Sequence, residues 1–311
     1  MWIRVIRNMQ SATRFLFPVV LVSARALQGH EGEPLQPHDL WYAWSADPFV
    51  IAIMVLSALL FGLGARQKQG ILRWEMTCYW LGWSLLLIAL ISPLHAAGEA
   101  LFSAHMAQHE LMMVGAAPLL VLGRPLISYL WALPQGERRT VGKWFQQGWI
   151  RGLWSFLSDP FHAWWLHFIV LWGWHAPILF GATLSNDVIH SAQHLSFFLS
   201  ALLFWWALIR RHGRRKEYGA GAFYIFTTMI HTGLLGVLLT FSTSIWYTAY
   251  SETTQAWGLT PLEDQQLGGL IMIVPPIAVY LAAFLILFWI WVRDSDQSYR
   301  DSFHAIPKVD E

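Results

Sequence analysis

Cysteine is almost missing from this chain. Among 311 residues there is one, Cys78, so an internal disulfide and a thiolate metal cluster are both excluded. Charge is scarce too: Asp, Glu, Lys and Arg make up 13% of the residues, against about 25% in an ordinary soluble domain. The net charge of +1 leaves no basic excess for nucleic acid. No soluble domain, low-complexity tract or convincing repeat is present. What fills the chain is apolar. Hydrophobic residues reach 56%, with 20 Trp and 19 Phe.

These residues fall into runs at 48–64, 75–92, 102–122, 161–180, 188–209, 220–243 and 265–292. About 20 apolar residues in a helix cross the roughly 30 Å of bilayer hydrocarbon. The expected fold is therefore all-α: a polytopic membrane protein with a single bundle of seven transmembrane helices over residues 48–292. Residues 1–28 carry Arg4, Arg7 and Arg14, a short apolar core from Phe15 to Val22, and Ala24-Arg25-Ala26. That pattern reads as a signal-peptide-like or anchoring leader. Residues 29–47, with Pro34 and Pro37, read as a polar extracytoplasmic segment, and 293–311 as a cytoplasmic tail.

Lysine and arginine are also missing from alternate connections. Four of the 20 lie in the leader. The other sixteen fall between Arg66 and Arg73, between Arg124 and Arg151, between Arg210 and Lys216, and after Arg293. Connections 27–47, 93–101, 181–187 and 244–264 have none beyond the leader and carry acids instead, among them Glu99, Asp187, Glu263 and Asp264. The positive-inside rule then places the N-terminus outside and the C-terminus in the cytoplasm, in a multi-pass membrane protein.

Two stretches stand out within the spans: His105-Met106-Ala107-Gln108-His109 and His190-Ser191-Ala192-Gln193-His194. On a helix, residues four apart share a face, with Cβ atoms about 6 Å apart. Each box can offer two imidazoles to one ion. The topology puts both boxes, and His175 of Trp174-His175-Ala176-Pro177, in one layer near the outer surface. Burying several imidazoles together is costly unless a cation compensates. The expected metal ligands are His105, His109, His190, His194 and His175. Imidazole suits either copper state and thioether favours the cuprous one, so copper is the expected metal. Met106, Met112 and Met113 are either further donors or packing. Glu110 is an acid inside a span and so a functional candidate. Asp187 either orients His190 or caps the fifth span. His162, His167 and His231 read as structural residues of the helix interfaces.

Other chemistries use similar residues. A seven-helix zinc hydrolase needs a histidine cluster and an activated water. His109-Glu110-Leu111-Met112-Met113 opens like the H-E-x-x-H motif but ends in methionine. A haem b protein with axial histidines from spans three and five is a second alternative. An iron desaturase is a third, but its H-x-x-H-H boxes are absent. No catalysis is expected.

The run Gly98-Glu99-Ala100-Leu101-Phe102-Ser103-Ala104-His105-Met106-Ala107-Gln108-His109, followed by Ala117-Pro118-Leu119-Leu120-Val121-Leu122-Gly123-Arg124-Pro125, resembles the CtaG family of polytopic assembly factors for caa-type haem–copper cytochrome c oxidases. Trp174-His175-Ala176-Pro177, the second histidine box and Asp264-Gln265-Gln266-Leu267-Gly268-Gly269 look like its later motifs. The resemblance implies a copper-delivering role. Its partners would be the oxidase catalytic subunit and a periplasmic copper chaperone. The topology is open to a direct test. Alkaline phosphatase fused after residue 186 should be active, and after residue 212 inactive. The reverse pattern would invert the assignment.

Overall fold

The computed structural model describes residues 35–67, 71–210 and 217–304. The leader lies outside them, as does residue 305 onward of the tail. The described residues are helical, with no strand among them. The helices in order are α1 (Pro48–Gln67), α2 (Arg73–Ile91), α3 (Pro93–Ala100), α4 (Phe102–Gly123), α5 (Pro125–Ala132), α6 (Gln135–Phe145), α7 (Gly148–Leu157), α8 (Pro160–Trp174), α9 (Pro177–Ser185), α10 (Asp187–Arg210), α11 (Glu217–Thr240) and α12 (Pro261–His304). Six are long and apolar enough to cross a membrane; a seventh span exists if α8 and α9 count as one. This is a multi-pass membrane protein.

Two spans depart from straight helices, and proline explains both. The fourth bends by 72° between α8 and α9, where a single span over 161–180 was expected. Ala176, before Pro177, is extended at φ −63° and ψ 127°, because a proline ring disfavours helical backbone in the residue ahead of it. The break leaves the His175 carbonyl outside the helical ladder, where it accepts from the Tyr247 hydroxyl at 2.8 Å. The third span, α4, contains a wide π turn over Leu111–Ala116, with the Ala117 N–H reaching back to Met112. Pro118 follows at once and has no N–H to give Val114, so the regular ladder is already interrupted there.

α4 is the pivot of the bundle. It is the most buried span, 61% against 17% for α1 and for α12, and α2, α3, α10 and α12 all pack on it. Opposite charges hold its two ends. The Asp264 carboxylate accepts from the Phe102 N–H at 2.6 Å, the Ser103 N–H at 3.1 Å and the Ser103 hydroxyl at 2.5 Å. At the other end Arg210 donates to the carbonyls of Val121 and Leu122 at 2.8 and 3.2 Å. An anion at a helix N-terminus and a cation at its C-terminus each complement the unpaired backbone groups there.

Asp264, an acid of the 244–264 connection, is fully buried, because α12 starts early enough to bring it under α4. Gly268, one turn along, permits this approach. A Cβ there would fall 2.4 Å from the Phe102 ring. Gln265 similarly accepts from the Trp246 N–H at 2.7 Å and ties the 244–264 connection to α12.

Asp264→Ala should lower stability by about 2–3 kcal/mol, the order expected when charge-assisted bonds are lost and a buried amide is left unpaired. The check is the thermal midpoint of the detergent-solubilised protein. An unchanged midpoint would show that α4 does not depend on this anchor.

Candidate metal centre

The two histidine boxes lie on α4 and α10, at the end of the bundle that carries the acid-rich connections. They face one another. His105, His109 and His194 each offer a ring nitrogen, and those three atoms lie within 4.8 Å of one another. His105 and His109 meet edge to face with centroids 4.4 Å apart, and His109 and His194 do the same at 5.1 Å. All three are buried. His190 is 4.3 Å from His194 and 5.3 Å from His105, centroid to centroid, and is only partly buried. Four of the five expected ligands thus come together. His175 sits apart, its Nε2 against Met106.

The hydrogen bonds leave the nitrogens underused. Both ring nitrogens of His109, and the Nε2 atoms of His190 and His194, are buried without a partner. Unpaired polar atoms are uncommon in protein interiors, and several in one cluster call for an explanation. The Nδ1 of His105 lies 3.3 Å from the carbonyl of Gly98, which can only accept. The proton of a neutral ring is therefore on Nδ1, and Nε2 presents a lone pair. That lone pair faces Gln193, 3.2 Å away. The Nε2 of that amide is itself buried without a partner.

The donor set fits a metal. Tetrahedral bonds of about 2.0 Å place neighbouring nitrogens roughly 3.3 Å apart. The 4.8 Å envelope is wider, so the rings would close slightly around an ion.

Above these histidines is a mouth. A cleft of about 360 Å³ is lined by Glu99, Asp187 and His190, with Thr183 and Ser185. Burial, and then the charge of Asp187, raise the Glu99 carboxyl above its ordinary range. His95, within the 93–101 connection, lies on the short helix α3 and stacks on His190 with centroids 5.6 Å apart. Burial holds its imidazole below the usual range, with Asp47 opposing. Gln108 donates to His95 Nδ1 at 2.9 Å and to the Ala89 carbonyl at 2.8 Å.

Sequence reasoning missed Gln108 and Gln193. One signal was available: both boxes end in Ala-Gln-His, and each glutamine contacts a histidine of another helix. The fifth span is capped by Asn186, whose Oδ1 accepts from the Val188 and Ile189 N–H groups; Asp187 stands in its first turn.

Glu110 does not join the histidines. With Met113, His167, Thr232, Met272 and Tyr280 it lines a separate, deeper cavity of about 10 Å³, room for one water. His167 pairs with the Ser200 hydroxyl at 3.2 Å. His162 lies 3.5 Å from Asp159, and His231 packs on Trp164 and Phe168.

Residues 49–294 match the family of cytochrome c oxidase caa3 assembly factors, Caa3_CtaG. Uncharacterized proteins of Mycobacterium bovis and Mycobacterium tuberculosis are 29% identical over 237 residues, covering 73% of this chain and 36% of theirs. One from Mycobacterium leprae is 27% identical over 279 residues, covering 84% of this chain and 41% of its own. The chain thus spans well under half the length of these relatives. No solved structure matches it. A family match over most of the chain, with the histidine boxes inside it, means that the protein belongs to the cytochrome c oxidase caa3 assembly factor family.

Proposed function

We propose that this protein binds copper among His105, His109 and His194, with His190 as the entry ligand, and delivers it to the catalytic subunit of a haem–copper cytochrome c oxidase. The observation that carries the reading is the cluster of buried imidazoles with unpartnered nitrogens. A cation resolves both the unpaired lone pairs and the cost of burying them. The cleft of Glu99 and Asp187 gives a cation an acidic approach to His190, and nearby carboxylates attract it from solution.

With the N-terminus outside, this mouth opens on the extracytoplasmic face of a bacterial inner membrane, within reach of a periplasmic copper chaperone. The binding layer then lies just inside the bilayer, a suitable depth for sideways transfer to a second membrane protein. Histidine without cysteine holds copper while permitting release.

Zinc hydrolysis is the second reading, because three imidazoles with an open position also describe a catalytic zinc site. The placement of Glu110 argues against it. The one acid adjoining the box faces the lower cavity, so Glu110 does not stand where a general base would activate a zinc-bound water.

Purified protein should hold copper at the three-histidine position, and His105→Ala/His109→Ala should lower the bound copper by that equivalent. Unchanged copper in that variant, or stoichiometric zinc in its place, would remove the basis of the proposal. In a deletion strain the oxidase should accumulate with its haem but without its catalytic copper. Fully metallated, active oxidase in that strain would exclude this client.

A further inference from the structure

His175 is bonded differently from the clustered histidines. Its Nδ1 lies 2.7 Å from the carbonyl oxygen of Leu171. A carbonyl only accepts, so the ring proton is on Nδ1, and the neutral ring has no second one. Nε2 therefore carries a lone pair. It faces the Sδ of Met106 at 3.4 Å, and a thioether has no hydrogen to offer. Two acceptors meet with no proton between them. His175 is 4% exposed and Met106 1%, so solvent does not reach the contact.

The surroundings hold the pair in place. The Tyr247 hydroxyl binds the His175 carbonyl at 2.8 Å, and the Phe197 ring lies 6.0 Å from His175 and 4.6 Å from His109. Met106 is next in sequence to His105 but points off the face that His105 and His109 share.

The separation suits a shared cation. Metal–nitrogen and metal–sulfur bonds of about 2.0 and 2.3 Å at a tetrahedral angle place the two donors roughly 3.5 Å apart. Imidazole with thioether, and no carboxylate, is a soft set that selects cuprous copper over zinc.

We infer that His175 Nε2 and Met106 Sδ form a second, softer position for cuprous copper beside the three-histidine site. This rests on the copper reading above and adds to it a nitrogen–sulfur position that the histidine boxes alone would not contain. Movement between the two positions exchanges ligands without changing the oxidation state.

The test uses the full chain in detergent, titrated without oxygen with cuprous ion against a chromophoric cuprous chelator. Bound equivalents are counted, and the copper shell is read by X-ray absorption. The wild type should hold two equivalents with a sulfur contribution. Met106→Leu, similar in volume, should lose one equivalent together with all sulfur. His105→Ala/His109→Ala should lose the other equivalent and keep the sulfur. A sulfur-free wild type, or Met106→Leu that still binds two equivalents, overturns the second position. The three-histidine site fails separately, if its own double substitution loses nothing. The wild-type spectrum requires no variant, so it decides the point even if the Met106→Leu chain does not fold.

Discussion

An anion and a cation brought from other helices hold the two ends of α4. Asp264 occupies the N-terminal amides and Arg210 the C-terminal carbonyls. In a medium without water such groups have no other partners, and leaving them unpaired is costly. The clamp therefore fixes the depth of α4 in the bundle, and the depth of His105 and His109 follows from it. His105 is the fourth residue of that helix and His109 the eighth. Their placement opposite His194 is a consequence of where a carboxylate 162 positions from Phe102 sits.

The histidine layer obeys a related rule. A neutral imidazole has one proton to donate. Wherever Nδ1 gives it to a backbone carbonyl, as in His105 to Gly98 and His175 to Leu171, Nε2 is left as a lone pair of fixed direction. Such outer hydrogen bonds set the tautomer and aim of metal-binding rings. The neighbouring glutamines serve the same end, linking the boxes to α2, to α3 and to each other.

Much of this was legible in the sequence. Composition and run length suffice for the membrane spans, because hydrocarbon thickness sets the length of an apolar helix. The four-residue spacing of each box suffices to place its histidines on one face. Convergence of the boxes followed from matching their depths, and His105, His109, His190 and His194 do meet. What escaped was long-range or backbone-borne. Asp264 looks like any acid of a polar connection until α12 is seen to begin beneath α4. The bend before Pro177 turns on one residue's backbone, that of Ala176. The 93–101 connection gives little periodic signal, since its eight helical residues are few and open on Pro93; Ser92 caps the short helix they form.

The wide turn at Leu111–Ala116 has a consequence for how α4 serves two sets of neighbours. Each residue advances a regular helix by about 100°, so one added residue in a turn re-phases everything beyond it. The histidine half of the rod packs chiefly on α3 and α12, while the Ala116–Gly123 half nests against Tyr79 and Gly82 of α2 and against α10. The extra residue works as an angular coupling between those two halves. Chain length in this stretch is consequently as constrained as residue identity, since adding or removing a single position would rotate one set of contacts out of line with the other.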